Sequence, residues 1–505
     1  MILINILAFI FMLGLVIFIH ELGHFIMAKR AGILCHEFAL GFGPIVYSKR
    51  KGETLYSIRL LPLGGFVSMA GEEVSDELVK VSQRVKLVFD QDDRVDKIVV
   101  DPAIPGYDDA QEVLIDYIDL KGVDGGDLTI NGYPVNRDAH YVFRNKTLQI
   151  APYDRSFESK TLLERFLTIF AGPFMNFVLA LVIFFLVSSI IVGVPRYDSS
   201  VIGSVGQGMP AEEHLEAGDK ILAVNGTSVS RWDEISALMR DANQDLTVTF
   251  EIERDGSVMT VEMVPMLSFF NAGFSADTDA DAPVVGSVGE NSPADQAGLQ
   301  AGDELVAIGQ TAVNNWSDVI NAIEARREGG ETTFTVLRDG ETETLTIGLF
   351  SERFLSGQGV NFIHVQTGIG PEYTRAFFAA FPDALANLTG TFTMIFSTLR
   401  ALFAEAQVGV GDLAGPVGIF SITSQFVSAG LASFLTWMAI LSVNLGIINL
   451  LPIPALDGGR IVFLGYEAIV GKPVKKEVEN SLHFIMFILL MALILFITYN
   501  DILRL

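Results

Sequence analysis

The feature that most restricts the fold is a long apolar run at the N-terminus. Residues 2–28 are almost wholly apolar up to His20, and about 20 apolar residues suffice to span a bilayer as a helix. Three more runs of this kind follow, at residues 162–194, 431–454 and 482–497. With a mean hydropathy of +0.42 over 505 residues, the chain is predicted to be a polytopic α-helical membrane protein with four spans.

Basic residues flank these runs in a consistent way. They follow the first run, flank the start of the second, and lie between the third and fourth: Lys29, Arg30, Lys49, Arg50, Lys51, Lys160, Arg165, Arg460, Lys472, Lys475 and Lys476. Because loops rich in Lys and Arg stay in the cytosol, we expect both termini and the region between the second and third spans on the extracytoplasmic side. No small-x-small cleavage site follows the first run, so we expect it to remain as a span.

A further apolar segment, residues 373–406, is the main alternative to a count of four. It contains Pro382 and Asp383, and we interpret residues 371–430 as amphipathic helices on the outer membrane face. A span at this place would reverse the direction of the next one and would carry Asp457 to the opposite side of the membrane.

Between the second and third runs, the sequence repeats itself with a period of 84 residues. The repeated features are Gly218-Asp219 and Gly302-Asp303, Trp232 and Trp316, and Arg254-Asp255-Gly256 and Arg338-Asp339-Gly340. Each copy contains short β-branched runs, and Asp-Gly is a strong hairpin signal. The repeat predicts two tandem β-rich domains, at residues 197–270 and 281–352.

The loop between the first and second runs, residues 72–160, is long and acidic, most visibly at 90–93. Apolar and polar residues alternate at 97–100 and 128–130, which favours a small β-rich insert over disorder. The net charge of −26 argues against nucleic-acid binding. The single cysteine, Cys35, excludes an intramolecular disulfide.

The segment His20-Glu21-Leu22-Gly23-His24 has the spacing of a zinc site. Two histidines four residues apart share one face of a helix, so both imidazoles can reach one ion. Glu21 lies one step round the helix and can serve as general base towards a water molecule that zinc makes acidic. The pattern also occurs by chance in soluble helices. Within an apolar span, however, these polar groups are costly unless they serve a function, so we predict a catalytic zinc site.

A catalytic zinc ion has three protein ligands and one open position, and Asp457 is the best candidate for the third ligand. Because the third span runs inward, Asp457 arrives at the same membrane side as His24. Asp457-Gly458 is also a turn signal, and the two roles are compatible. The other histidines are expected to be structural: His36, His140, His214, His364 and His483.

These motifs resemble the site-2 protease family of intramembrane zinc metalloproteases, and most of all its bacterial members that regulate sigma-E and carry tandem PDZ domains. The likeness covers most of the chain. The matching segments are, in order, 20–24, Gly41-Phe42-Gly43-Pro44, Leu61-Pro62-Leu63-Gly64-Gly65-Phe66, Ala171-Gly172-Pro173 with Asn176, Gly415-Pro416-Val417-Gly418, and 449–459.

The resemblance implies that His20, His24 and Asp457 hold Zn²⁺ and that Glu21 is the general base. It also implies substrate contacts by Asn449, Gly64, Gly65, Pro452 and Pro454. Residues 56–69 resemble a membrane-reentrant β-hairpin that offers an edge strand to the substrate, which would satisfy the backbone groups of an unfolded transmembrane helix.

The two β-rich domains resemble PDZ domains, which in the family act as a size filter and which can bind peptide ligands. The second is a close match at Ser292-Pro293-Ala294, and the first departs at Met209 and Pro210. The function implied is an intramembrane zinc metalloendopeptidase of the bacterial inner membrane, acting in the lipid bilayer towards its cytosolic side. Its expected substrates are single-pass membrane proteins, namely anti-sigma factors after a first extracytoplasmic cut, and remnant signal peptides.

Two features depart from the family pattern. Arg460 follows Asp-Gly-Gly, where the family often has His, and the 72–160 loop is longer than the usual connection. Two other function classes are weighed against the protease. A non-catalytic scaffold that recruits partners through PDZ domains predicts no stoichiometric metal. A transporter or channel requires a polar path across the membrane, which one polar cluster near one face does not provide.

Overall fold

The structure is a computed structural model that describes residues 2–72, 78–123, 126–144, 146–240, 247–280, 282–404, 409, 411 and 413–503. Two compact units divide the chain: Met1–Leu181 with Gly415–Leu505, and Val182–Ala414. The helices of the described residues are α1 Ile2–Arg30, α2 Leu162–Leu186, α3 Trp232–Arg240, α4 Pro293–Gln296, α5 Trp316–Glu324, α6 Glu352–Gly357, α7 Phe377–Ala404, α8 Pro416–Ser428, α9 Leu431–Leu450, α10 Asp457–Val470 and α11 Lys476–Leu503.

Among the described residues, four helices are long and apolar enough to cross a membrane: Ile2–Arg30, Leu162–Ile191, Leu431–Leu450 and Lys476–Leu503. They correspond to the four predicted spans, and the chain is a multi-pass membrane protein. The third ends at Leu450 rather than at the expected Pro454, because Pro452 and Pro454 cannot continue a helix. The helix α7, which covers most of the alternative fifth span, is not among the four.

The chain leaves α1 into a long β-hairpin, formed by β1 Cys35–Lys51 and β2 Thr54–Met69. The hairpin folds back on itself, so that Phe38 pairs with both Val67 and Tyr56. Residues 65–69 pair only with the start of β1 and form an outer strand. Apolar side chains on the inner face, among them Phe38 and Val67, pack against α1.

The 72–160 loop, for which β structure was predicted, holds a seven-stranded sheet. Its strands are β3 Arg84–Phe89, β4 Val95–Val99, β5 Gln111–Leu114, β6 Ile118–Asp119, β7 Thr129–Ile130, β8 Tyr133–Val142 and β9 Thr147–Gln149. The order is β5-β3-β4-β8-β7-β6, with β9 also paired to β8. Leu87, Ile98 and Ile130 lie at the centre of a separate apolar core. This core makes the insert a small domain rather than a loop.

The second unit contains all the remaining strands of the described residues. These are β10 Val194–Pro195, β11 Ile202–Val205, β12 Lys220–Val224, β13 Thr227–Ser228, β14 Val248–Arg254, β15 Ser257–Met263, β16 Met266–Phe269, β17 Phe274–Ala276, β18 Val285–Val288, β19 Glu304–Ile308, β20 Thr311–Ala312, β21 Gly330–Arg338, β22 Glu341–Leu349, β23 Ile363–Gln366, β24 Ile369–Pro371 and β25 Tyr373–Thr374. Two equivalent four-stranded sheets, β13-β12-β14-β15 and β20-β19-β21-β22, reproduce the sequence repeat.

The boundaries of the two β-rich domains differ from those expected at 197–270 and 281–352. Strand β16 pairs with β17 and β23, and its Leu267 and Phe269 are buried in the second core. Strand β24 returns to pair with β11 of the first domain. The second domain is therefore inserted within the first, an arrangement set by strand pairings that a linear repeat does not display.

Candidate active site

Three potential metal ligands lie together in the first unit. His20 and His24, one turn apart on α1, bring their Nε2 atoms to 3.2 Å from each other. Asp457, the first residue of α10, places Oδ2 at 3.2 Å from Nε2 of His20 and 3.4 Å from Nε2 of His24. The histidines are only 7% and 8% exposed. Ligand atoms of all three residues lie within 4.8 Å of one another, so this group could hold one metal ion.

The donor atoms fit zinc. Oδ2 of Asp457 is buried and has no hydrogen-bond partner among the residues that the structure describes, a costly state for a carboxylate oxygen. A cation between Oδ2 and the two Nε2 atoms removes that cost. Two imidazoles and one carboxylate are a typical ligand set of catalytic zinc and leave a fourth position open.

The opposite edge of each imidazole is held by α2. Nδ1 of His24 lies 2.8 Å from the backbone oxygen of Thr168, to which its N–H donates. Nδ1 of His20 lies 3.1 Å from Nδ2 of the Asn176 side-chain amide, and Oδ1 of the same amide is buried without a hydrogen-bond partner among the described residues. With Oδ1 turned to accept from Nδ1–H, both histidines direct a lone pair towards the metal position. Asn176 belongs to a motif seen in the sequence, whereas the Thr168 carbonyl has no sequence signal.

Two glycines allow α1 and α2 to approach closely beside the site. A Cβ on Gly23 would lie 2.2 Å from the backbone oxygen of Ala171, and a Cβ on Gly172 would lie 2.2 Å from Nε2 of His24. The backbone oxygen of Asn176 also accepts from Oγ of Ser442 on α9 at 2.8 Å. Helix α1, which carries His20 and His24, is thus packed against α2, and α2 is in turn hydrogen-bonded to α9.

Glu21 lies beside the outer strand of the β-hairpin. A Cβ on Gly65 would meet Cγ of Glu21 at 2.9 Å and the backbone oxygen of Ala39 at 2.9 Å. The strand that begins at Gly65 therefore passes directly alongside the glutamate. Gly64 instead lies against the ring of Phe42, 2.1 Å from where its Cβ would be.

The predicted substrate residues near Asp457 lie on the chain segment that leads to it. Asn449 is in the last turn of α9, and Pro452 and Pro454 follow. Among the described residues, no hydrogen bond joins these three to His20, Glu21 or His24. Within the part of the chain that the structure describes, none of the other histidines belongs to the three-ligand group.

The two features that depart from the family pattern, Arg460 and the 72–160 insert, are in contact with each other. Arg460, one turn after Asp457, forms an ion pair with Glu72, which follows the hairpin at the start of the acidic insert. Burial lowers the pKa of the Arg460 guanidinium, while the carboxylates of Glu479 and Glu21 act against that shift. The positive charge of Arg460 therefore reaches the surroundings of Glu21.

A polytopic membrane fold with a buried two-histidine, one-aspartate group defines a class of intramembrane metalloprotein. The family model described as "Peptidase family M50" matches residues 8–493 of the chain. The chain therefore belongs to this family, which is that of the site-2 proteases. The chain is a zinc metalloprotease, and its cofactor is Zn²⁺.

Three relatives illustrate the similarity. The zinc metalloprotease RasP of Oceanobacillus iheyensis is 34% identical over 99% of both chains. The regulator of sigma-W protease RasP of Bacillus subtilis is 33% identical over 99% of both. A putative zinc metalloprotease of Staphylococcus aureus is also 33% identical over 99% of both. A solved PDZ domain of an SdrC-like protein from Listeria monocytogenes is 21% identical, covers 17% of this chain and 87% of that chain, and has a TM-score of 0.14.

Proposed function

We propose that this chain is an intramembrane endopeptidase that hydrolyses peptide bonds of single-pass membrane proteins near the cytosolic side of the bilayer. His20, His24 and Asp457 are its zinc ligands, and Glu21 is its general base. The observation that carries the proposal is the position of Oδ2 of Asp457, which faces two Nε2 atoms beside apolar spans and, in the described part of the chain, has no hydrogen-bond partner. A buried cluster of this kind is costly unless it serves a function.

The zinc ion and the protein each contribute to the hydrolysis of the peptide bond. Bound zinc makes a water molecule nucleophilic at neutral pH and polarises the scissile carbonyl. Glu21 accepts a proton of the attacking water and delivers it to the leaving amine. One water and one peptide bond thus give a carboxylic acid and an amine, which at neutral pH are present as a carboxylate and an ammonium group. The Thr168 carbonyl, and the Asn176 amide with Oδ1 turned towards Nδ1 of His20, hold the two imidazoles in the tautomer that leaves Nε2 free.

The substrate binds as an extended strand. A transmembrane helix must unwind before a protease reaches its backbone, and its freed N–H and C=O groups then need partners. The outer strand at residues 65–69 offers such partners beside Glu21. We assign substrate contacts to Asn449, Gly64, Gly65, Pro452 and Pro454, because these residues lie on the two segments that border the site.

The substrates proposed are anti-sigma factors already cut once outside the membrane, and remnant signal peptides. A relative that matches over the full length of this chain is named a regulator of sigma-W protease. That name supports anti-sigma factors as substrates. The two β-rich domains act as extracytoplasmic PDZ domains that exclude bulky substrates, with peptide binding at the second. Both termini lie on their side of the cell membrane.

Replacement of the base tests this proposal. Purified wild type should contain one zinc ion per chain and cleave a single-pass model substrate. Glu21→Gln should keep the zinc and lose cleavage by at least a factor of about 100, since general base catalysis typically contributes that much. Glu164→Gln, at the start of α2 and outside the site, should resemble wild type. Full cleavage by Glu21→Gln would refute the mechanism, and absence of zinc from wild type would favour the scaffold.

A further inference from the structure

Asp457 reaches the site at the end of an irregular segment, residues 451–456, that joins α9 to α10. Two prolines, Pro452 and Pro454, have no N–H to donate. Ala455 has a φ of 83°, a left-handed conformation that costs a residue other than glycine about 1 kcal/mol. Within the segment, the Ile453 N–H donates to Leu451 and the Leu456 N–H donates to Ile453, but the N–H of the strained Ala455 finds no partner there. The placement of Ala455, two residues before Asp457, therefore depends on an outside contact.

One side chain of the fourth span supplies such a contact. Nδ1 of His483, on α11, accepts the backbone N–H of Ala455 at 2.8 Å. Within the described residues, it is the one hydrogen bond between α11 and residues 451–456. The imidazole also packs edge-on against Phe463 of α10, with 5.8 Å between ring centroids. His483 therefore touches the chain on both sides of Asp457.

His483 differs from its neighbours on α11. Leu482, Phe484 and Ile485 are 39%, 67% and 54% exposed on the outer surface of the unit, whereas Nε2 of His483 is buried. A polar side chain in an apolar span is costly and calls for a function. To accept from Ala455, Nδ1 must carry a lone pair, so the ring proton sits on Nε2. The Glu479 carboxylate, 3.8 Å from Nε2, favours that tautomer.

We propose that His483 is a positioning residue for the zinc site, which acts through the Ala455 N–H to hold Asp457 in place. The inference rests on the proposed role of Asp457 as a zinc ligand. A neutral acceptor at Nδ1 fixes the backbone two residues before the ligand, and with it the approach of Oδ2 to both histidines. Without this acceptor, the Ala455 N–H loses its partner and the segment can relax its left-handed residue.

Three variants test the proposal by zinc binding. His483→Phe keeps a ring but removes the acceptor, and His483→Asn keeps an acceptor, since Oδ1 can take the place of Nδ1. Leu482→Phe adds a ring on the same helical turn away from the segment. We expect zinc affinity at least about ten-fold lower in His483→Phe, as for other outer-shell partners of metal ligands, substantial recovery in His483→Asn, and wild-type affinity in Leu482→Phe. The readouts are zinc retention against a chelator and the visible spectrum of the Co²⁺-substituted protein.

The possible outcomes distinguish the role of His483 from the proposed zinc protease function on which it rests. A His483→Phe variant with wild-type zinc affinity and an unchanged Co²⁺ spectrum would overturn the role of His483 and leave the protease intact. Equal impairment in His483→Phe and His483→Asn would assign the side chain to helix packing alone. Should the Phe variant fail to fold, His483→Leu removes the same acceptor and is compared in its place. A wild type that holds no zinc would overturn both proposals.

Discussion

Gly172 illustrates how single atoms define the site. It lies in the interior of α2, where most sequences would gain helix stability from a larger residue. A Cβ at this position would lie 2.2 Å from Nε2 of His24, within the space that a metal ligand needs. The glycine therefore reflects the site rather than the helix.

Substitution of this glycine should weaken zinc binding without weakening the helix. Gly172→Ala favours the helix by about 1 kcal/mol, yet its methyl group forces His24 to turn. We expect an affinity for zinc at least about ten-fold lower in a chelator competition. Gly14→Ala on α1, where a Cβ meets nothing within 4 Å, is the matched control. Equal affinities in the two variants would show that the space at Gly172 is unimportant.

The sequence predicts the ligand-bearing residues better than the residues that orient them. Helical spacing and span direction were enough to place His20, His24 and Asp457 together, as the structure does. The partners of the imidazoles come from α2, and the contact of His483 comes from α11. His483 was expected to be structural. Such contacts depend on how helices pack, which spacing within one helix does not encode.

At the scale of elements, an equivalent ion pair connects two strands in each β-rich sheet. Asp219 pairs with Arg254 at 2.6 Å in the first domain, and Asp303 pairs with Arg338 at 2.6 Å in the second. Each pair joins the start of one strand to the end of another. Burial alone would raise the pKa of Asp303, but the hydrogen bonds from Arg338 and from the Gln300 N–H, together with the positive charge of Arg338, outweigh it and hold the pKa below its usual value.

The sign of that shift predicts a pH dependence. A carboxyl with a depressed pKa stabilises the fold above its unfolded pKa of about 3.9, and the contribution disappears as pH falls through the folded pKa. Asp303→Asn should therefore cost about 3 kcal/mol at pH 7, and its deficit relative to wild type should shrink below about pH 4. Denaturant unfolding, followed by Trp316 fluorescence with the other tryptophans replaced by Phe, measures this difference.

A control for this variant lies in the adjoining hairpin. Asp339 has a φ of 52° in the turn before Gly340, where Asn is equally suitable, so Asp339→Asn should leave stability unchanged at both pH values. A deficit in Asp303→Asn that stays constant from pH 7 to below pH 4 would contradict the ion-pair account.

The hairpins also show how far element prediction extends. Both Asp-Gly signals form turns with two successive positive φ values, 50° and 78° at Asp255-Gly256 and 52° and 83° at Asp339-Gly340. These turns depend on the local backbone preference of the Asp-Gly dipeptide, which can be read from the sequence. The placement of β16 and β24 depends instead on distant pairing partners, and for that reason the domain boundaries differ from expectation.

At the scale of the whole molecule, the four spans and the distribution of basic residues predict which parts face the cytosol. Wild type contains one cysteine, Cys35, which is fully buried. A Cys35→Ala chain therefore offers a clean background for labelling of introduced cysteines.

Labelling in intact cells tests the membrane topology. In this background, Glu341→Cys in the second β-rich domain should react with a membrane-impermeant maleimide. Asp92→Cys in the insert should react only after the cells are permeabilised, because the positive-inside rule assigns the insert to the cytosol. Equal reactivity at both positions in intact cells would place the insert and the β-rich domain on one side and would reject the four-span topology.

The zinc site itself is the central claim, and X-ray absorption at the zinc edge of purified wild type tests it most directly. We expect one zinc per chain, bound by two imidazoles and by oxygen ligands at about 2.0–2.2 Å, with no sulfur at about 2.3 Å. A first shell without two imidazoles, a sulfur ligand from Cys35, or a protein purified without stoichiometric zinc would contradict the assignment of His20, His24 and Asp457.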